Sequence, residues 1–328
     1  MGSPATARGR GNSPRMLRWW FMSPRHSSEV DPRIQGRAAR VRPLQAEDLP
    51  EVGRIFQEAF NQIYVRRGFP RVVTDPDTGV SIARAYLAHD PEHCLVVESG
   101  GKIAGSGFLH PRGDVAGVGP ISVAPSRQGT GLGSLLVEEL CGRSDKLGIP
   151  SLRLIQDSFN EASYALYTNK GFVARAVFAR ASLRGARRPN PACSRVARWS
   201  DLERIGVLEK ELLGFARRRD YELLRRLGEV RVLEGHRGLE GWMARVVQGD
   251  VAAIGPVLSR SKAGLEKLLL DATNDLPMET EARFLLPSGC RVVPPGDLQL
   301  HSLCNYMVRG SFDGLCPYYV PTLFPESG

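Results

Sequence analysis

A glycine-rich segment between a predicted strand and a predicted helix carries the clearest chemistry in the sequence. A β-branched apolar run over 116–123 is followed by Gly129, Gly131 and Gly133, and an apolar-periodic helix is predicted over 131–147. In such a segment the backbone N–H groups at the helix N-terminus point into one cavity, and the helix dipole adds partial positive charge there. Glycines let an anion approach the main chain without hindrance from a Cβ atom. The segment therefore predicts a phosphate-binding site.

The spacing of these glycines excludes two common phosphate-binding motifs. The dinucleotide fingerprint G-x-G-x-x-G fails, because the glycines follow G-x-G-x-G and no acidic residue is suitably placed on a following strand. The P-loop fails because no Gly-Lys-Ser/Thr closes the segment. The pattern that fits is Gln128-x-x-Gly131-x-Gly133. It resembles the coenzyme A pyrophosphate loop of the GCN5-related N-acetyltransferases, the GNAT superfamily, whose pattern is Q/R-x-x-G-x-G/A.

The resemblance covers residues 40 to about 183. A strand is predicted over 151–156, Asn160 begins a further predicted helix, and Tyr167 precedes Gly171-Phe172 as in the family's second signature. The resemblance implies an α+β fold with a mixed, mostly antiparallel central sheet flanked by helices. It also implies an N-acetyltransferase that transfers an acyl group, most often acetyl, from acetyl-CoA to a primary amine by direct attack in a ternary complex.

The resemblance further implies that acyl-CoA is bound by the main chain. In the family, the strands that correspond to 116–123 and 151–156 diverge, and pantetheine inserts between them like an extra strand. Pro120 has no N–H to donate, which suits a strand whose ladder opens at that point. We expect the coenzyme to contact the following residues: Ile121, Ser122, Val123, Gln128, Gly129, Thr130, Gly131, Leu132, Gly133, Ser134 and Asn160.

Two of the candidate residues have an ordinary structural alternative. By resemblance, Tyr167 is the expected general acid: a phenol of pKa about 10 can protonate a leaving thiolate of pKa about 8.5 when the two are close and aligned. Its alternative role is that of a core aromatic beside Tyr164. Asn160 suits either a contact with pantetheine or the N-cap of its helix.

The sequence does not identify the general base. The candidates are Glu98, His110, Asp114 and Asp157. Asp157 directly follows a predicted strand, and His110 would titrate near neutral pH. Each is also an ordinary surface or turn residue by its type, and deprotonation through water without a dedicated base is an equal alternative.

The second half of the chain repeats the pattern of the first. The length of 328 residues favours two domains, which we predict over 39–184 and 193–328 with a linker over 185–192. Val118-Gly119-Pro120-Ile121 is echoed by Ile254-Gly255-Pro256-Val257, but the second copy lacks three residues of the phosphate loop. The second half resembles the degenerate C-terminal domains of bacterial tandem GNAT proteins, so we expect a single coenzyme site, in the first half.

Charge and composition limit the classes of partner. Of the formal charge of +9, +6 lies in residues 1–40, which argues against nucleic-acid binding by the folded part. No apolar run approaches the length of a membrane span. Residues 1–38 are rich in Gly, Pro, Ser and Arg and are predicted to be a disordered, dispensable tail. The alternatives for this tail are an organellar transit peptide, or a start codon assigned upstream of Met16 or Met22.

Cysteine usage favours a cytoplasmic protein without a metal. The six cysteines are scattered, with no C-x-x-C and no His at ligand spacing, which is typical of reduced thiols. The expected partners are acyl-CoA and an amine acceptor. The alternative function is a non-catalytic acyl-CoA-binding or interaction protein, and a third hypothesis is nucleic-acid association through the Arg-rich tail.

Overall fold

The computed structural model describes residues 39–321, apart from 76, 185–191, 237, 275, 291 and 293–296. The predicted tail over 1–38 and all but the last residue of the predicted linker therefore lie outside the described residues.

The first half folds into strands and helices in the α+β order that the sequence predicts. Its strands are β1 (Ala39–Pro43), β2 (Cys94–Ser99), β3 (Lys102–Arg112), β4 (Val115–Val118), β5 (Ser122–Val123), β6 (Ser151–Asp157) and β7 (Val173–Arg184). Its helices are α1 (Leu49–Arg66), α2 (Asp77–His89), α3 (Leu132–Lys146) and α4 (Glu161–Asn169). Helix α1 is five residues longer than the predicted helix over 49–61, and α3 confirms the helix predicted after the glycines.

Helices cover both faces of the sheet in the first half. Successive residues of β2 point to opposite faces, as in any strand. Cys94 and Val96 pack with apolar residues of α1 and α2, whereas Leu95 and Val97 pack with apolar residues of α3. The sheet is therefore buried between α1 and α2 on one side and α3 on the other, which explains why its strands are apolar at consecutive positions.

The second half repeats this order. Its strands are β8 (Arg195–Val196), β9 (Glu229–Gly235), β10 (Gly238–Gln248), β11 (Val251–Ser259), β12 (Glu281–Pro287), β13 (Gln299–Gly310) and β14 (Tyr319–Val320). Its helices are α5 (Asp201–Leu213), α6 (Arg218–Leu227) and α7 (Lys262–Thr273). Among the helices of the described chain, none is long and apolar enough to cross a membrane.

The two halves share one continuous sheet because they exchange strands. The order of neighbouring strands is β1-β2-β3-β4-β6-β13-β7-β12-β11-β10-β9-β8, with β5 on β3 and β14 on β11. Strand β13 of the second half lies between β6 and β7, and β7 pairs with β12. The sequence predicts a strand over 172–183 that closes the sheet of the first half. The strand is present as β7, but it does not close that sheet, because it pairs with β12 and β13 of the second half and not with β6.

Corresponding strands of the two halves pair in the same way. Residues 115–117 of β4 pair in parallel with 151–153 of β6. Residues 251–253 of β11 pair in parallel with 281–283 of β12. This shared register supports the internal repeat that the Gly-Pro motifs indicate.

Ion pairs neutralise the Arg-rich segment at the start of α6, and one of them joins the two halves. Arg217 Nε lies 2.8 Å from Glu209 Oε1, Arg218 pairs with Glu203, and Arg219 Nη1 lies 2.9 Å from Asp90 Oδ1. Arg217 and Glu209 are buried, and buried charges are usually paired in this way. The three arginines are therefore engaged within the protein.

Candidate active site

The predicted opening in the sheet is present where β4 ends. The sequence predicts one strand over 116–123, but the structure divides it at Gly119-Pro120 into β4 and β5. Strand β4 pairs with both β3 and β6, whereas β5 pairs with β3 alone. Pro120 has no N–H to donate to a neighbouring strand, which suits the interruption at this point. Within the described residues, one edge of β5 and the facing edge of 154–157 therefore have no strand partner.

The equivalent opening in the second half is filled by the chain itself. Strand β14 pairs antiparallel with β11, with Val320 opposite Val257 and Tyr319 opposite Leu258. Leu258 of β11 pairs with Trp242 of β10, and at the corresponding position of the first half Ser122 of β5 pairs with Ser106 of β3. Strand β14 thus occupies the edge that corresponds to the open edge of β5.

The glycine loop leads into α3 with its N–H groups available. Gly129 and Gly131 have φ values of 74° and 86°, a left-handed conformation that favours glycine, and Gly131 is the N-cap of α3. Leu135 N–H donates to Gly131 O at 3.0 Å, the first bond of the helix. The N–H groups of 129–134 donate to no acceptor in the part of the chain that the structure describes. Six consecutive donors at a helix N-terminus form an anion site.

One side chain ties the loop to the preceding strand, and another braces the loop itself. Gln128 Nε2 donates to Val123 O at 3.2 Å, and Thr130 Oγ1 donates to Arg127 O at 2.7 Å. Ser122 Oγ lies 3.0 Å from Ser106 Oγ, which joins β5 to β3 through their side chains as well. The structure thus brings the predicted contacts at 121–123 and 128–134 to the opening.

Tyr167 lies on α4 beside the same part of the core. It is half-buried, stacks edge-on against Phe172 with ring centroids 5.9 Å apart, and packs on the core cluster that Ile121 and Val123 also contact. Its hydroxyl has no hydrogen-bond partner among the described residues. Burial raises the pKa of the Tyr167 phenol above its usual value, and the charge of Asp157 adds to the rise. The phenol is therefore protonated at neutral pH.

Asp157 ends β6 and is held by three other side chains. Its carboxylate accepts hydrogen bonds from Arg180 Nε at 2.8 Å, Tyr64 Oη at 3.1 Å and Cys304 Sγ at 3.3 Å. Burial disfavours the charge of Arg180, but its interactions with Asp157, Cys304 and Tyr64 together outweigh that effect and raise the pKa of Arg180. Both oxygens of Asp157 are thus occupied, which favours a positioning role over that of a free base.

The sequence gives no local signal for these partners of Asp157. Tyr64 is near the end of α1, and Arg180 and Cys304 come from β7 and β13. Arg180 and Cys304 reach Asp157 because β13 lies between β6 and β7. The other acidic candidates are engaged elsewhere: Glu98 Oε1 accepts from Arg42 Nε at 2.8 Å, and Asp114 pairs with Lys210 at 3.0 Å.

His110 is buried beside the interruption between β4 and β5. Only 1% of its surface is exposed, and its Nε2 lies 2.8 Å from Gly119 O, so Nε2 carries the proton and donates. Burial, aided by the charge of Arg112, lowers the pKa of His110 to about 3. The ring is neutral at physiological pH. These contacts indicate that His110 holds the carbonyl of Gly119 in place, and they argue against His110 as the general base.

The state of His110 predicts a pH dependence of stability. Its pKa in the folded protein, about 3, lies below the ordinary value of 6.5, so the unfolded chain takes up a proton that the folded protein refuses. Stability should therefore fall as pH decreases from 6.5 towards 3, by about 1.4 kcal/mol per pH unit. Between pH 7.5 and pH 5 the wild type should lose about 2 kcal/mol more than His110→Gln, whose amide can still donate to Gly119. Denaturant titrations at both pH values measure this, and equal losses in the two proteins would contradict it.

Asn160 takes the structural role that the sequence left open. It is the N-cap of α4, and its Oδ1 accepts from Ser163 N at 3.2 Å. Gln156 Nε2 donates to Asn160 O at 2.8 Å, which fixes the turn after β6. The Nδ2 group of Asn160 has no partner in the described chain and is available for a ligand.

Comparison with known proteins agrees with this geometry. Residues 52–172 match the model of the Acetyltransferase (GNAT) family. A candidate acetyltransferase from Pyrococcus horikoshii superposes with a TM-score of 0.72 at 20% identity, covering 93% of this chain and 100% of that one. A GCN5-related N-acetyltransferase from Sphaerobacter thermophilus gives a TM-score of 0.58 at 15% identity, covering 83% and 95%. Likenesses at these identities show the fold, and no curated protein matches the chain. Residues 52–172 therefore match the GNAT family model, and the chain as a whole shares the fold of these solved structures.

Proposed function

We propose that the protein is an acyl-CoA-dependent N-acyltransferase with a single active site in the first half. The observation that carries this proposal is the open edge of β5 beside the unpaired N–H groups of 129–134. An extended pantetheine can pair with such an edge as a strand would. The pyrophosphate would lie on the loop amides, where the dipole of α3 favours negative charge and no residue of 128–134 is acidic.

The residues of the chain support direct transfer in a ternary complex. The main chain at Ile121–Val123 would bind the pantetheine amides, with one N–H facing the thioester oxygen and stabilising its negative charge. The amine nitrogen bonds to the carbonyl carbon, the C–S bond breaks, and the leaving thiolate takes a proton from the hydroxyl of Tyr167. The amine loses its own proton to water, because both oxygens of Asp157 are already engaged by Tyr64, Arg180 and Cys304, and the Tyr167 phenolate takes a proton back from solvent. Acetyl is the acyl group that we favour.

The contacts within the second half support the proposal of a single coenzyme site, located in the first half. Its open edge is filled by β14, and the N-terminus of α7 is capped from within, because Ser261 Oγ accepts from Gly264 N at 3.1 Å. A Cβ atom on Gly264 would lie 2.1 Å from Ser259 Oγ, so this turn is closely packed. These contacts leave no loop comparable to 128–134.

Thermal unfolding with saturating acetyl-CoA tests the proposal. At one hundred times the dissociation constant, binding should stabilise the wild type by about 2.7 kcal/mol. Gly131→Asp places a Cβ atom and a negative charge at the N-cap of α3 and should abolish this stabilisation. Gly113→Asp is the matched control, because Gly113 also has a positive φ, of 70°, but lies in the turn between β3 and β4. It should respond as the wild type does. An equal response in Gly131→Asp, or none in the wild type, would contradict the proposal.

A further inference from the structure

A cavity of about 180 Å³ lies between the two halves, where α2 faces α6 and the ends of β10 and β11. Most of its wall is apolar and consists of the following residues: Ile82, Ala85, Leu223, Leu227, Val246 and Pro256. No residue of 121–123 or 128–134 lines it. The cavity is therefore separate from the proposed coenzyme site.

The charged groups at the other end of the cavity are already paired. Arg112 Nη2 lies 2.5 Å from Asp220 Oδ1, and Arg112 Nη1 lies 3.5 Å from Asp90 Oδ2. Arg217, which also lines the cavity, pairs with Glu209. All these side chains are at least 90% buried. A charged ligand would bring an unbalanced charge into this buried environment, which is strongly unfavourable. The cavity therefore favours an uncharged occupant.

One polar atom at this end lacks a hydrogen bond. His89 Nε2 is buried with no hydrogen-bond partner among the described residues, and its nearest ionic neighbour, Asp220 Oδ1, is 3.4 Å away. A buried polar atom without a partner is unusual in proteins and costs free energy. A hydroxyl group on a ligand would give His89 the missing bond.

We propose that this cavity binds an uncharged, mainly apolar molecule about the size of one aromatic ring, with one hydroxyl group. The size follows from the volume, because an apolar cavity of about 150 Å³ accepts benzene. The hydroxyl bonds to His89, and the ring packs between α2 and α6. The inference does not depend on acyl transfer.

Calorimetric titration with benzyl alcohol tests the proposal, with benzoate and benzylamine at pH 7 as charged analogues. Benzyl alcohol should bind the wild type saturably, and each charged analogue at least about tenfold more weakly. Ala85→Trp should weaken benzyl alcohol binding at least tenfold by filling the cavity. Ala88→Trp is the control, because Ala88 is exposed on the same helix and does not line the cavity. Leu227→Trp fills the cavity from α6 and covers the case in which Ala85→Trp does not fold.

Absence of saturable binding in the wild type would overturn the proposal, and so would unchanged binding in a folded Ala85→Trp or Leu227→Trp. Acetyl-CoA should not compete with benzyl alcohol, and competition would also overturn the assignment to a separate site. A failure of acetyl-CoA itself to bind would count against the acyltransferase proposal and leave this one intact.

Discussion

Replacement of Tyr167 by Phe should lower kcat by about 10²–10⁴-fold, the range typical of losing a general acid. The phenol is the group that we propose protonates the leaving thiolate, and it is protonated at neutral pH. Because the ring stays in place against Phe172, acetyl-CoA affinity should be nearly unchanged. The rate of coenzyme A thiol release is the measurement, made with an amine that the wild type acetylates.

Tyr164→Phe is the control for this prediction. Tyr164 lies on the same helix but is 42% exposed, and its loss should leave kcat near the wild-type value. Unchanged turnover in Tyr167→Phe would remove the phenol from the mechanism. It would also withdraw the main argument against the alternative of a non-catalytic acyl-CoA-binding protein.

Asp220→Ala should destabilise the protein by about 3–5 kcal/mol, because it leaves the guanidinium of Arg112 buried without its closest partner. Arg112 is 3% exposed and comes from the first half, whereas Asp220 begins α6 in the second. Burial disfavours the charge of Asp220, but its interactions with Arg112, His89 and Arg217 together outweigh that effect and lower its pKa, so the aspartate is charged at neutral pH. Denaturant unfolding at pH 7 measures the loss.

An exposed ion pair between the halves gives the matched control. Lys210 and Asp114 are 3.0 Å apart and also join the two halves, but their side chains are 61% and 70% exposed. Water screens such a pair, so Asp114→Ala should cost less than about 1 kcal/mol. Similar losses in Asp114→Ala and Asp220→Ala would show that burial does not determine the strength of the contact.

Features set by neighbouring residues are the ones that the sequence predicts well. Gly129 and Gly131 have positive φ, α3 begins directly after Gly131, and Asn160 caps α4, which is one of the two roles that the sequence left open for it. Each of these depends on conformational preferences within a few residues.

Features set by distant partners could not be predicted in the same way. A strand such as β7 shows the same alternation whether it pairs with β6 or with β12, so the exchange of β13 has no signature in either strand. For the same reason the sequence indicates Asp157 only as a candidate base and carries no sign that Arg180 and Cys304 lie against its carboxylate. His110 has the right type for a base, and only its burial beside Gly119 shows that it is neutral.

The most direct test of the central claim is the stoichiometry of acetyl-CoA binding, measured by calorimetric titration of the intact protein. The open edge of β5 predicts one molecule per chain, because β14 fills the corresponding edge in the second half. Gly131→Asp should reduce that number to zero. Two molecules per chain, or one that Gly131→Asp leaves in place, would contradict the assignment of a single coenzyme site to the first half.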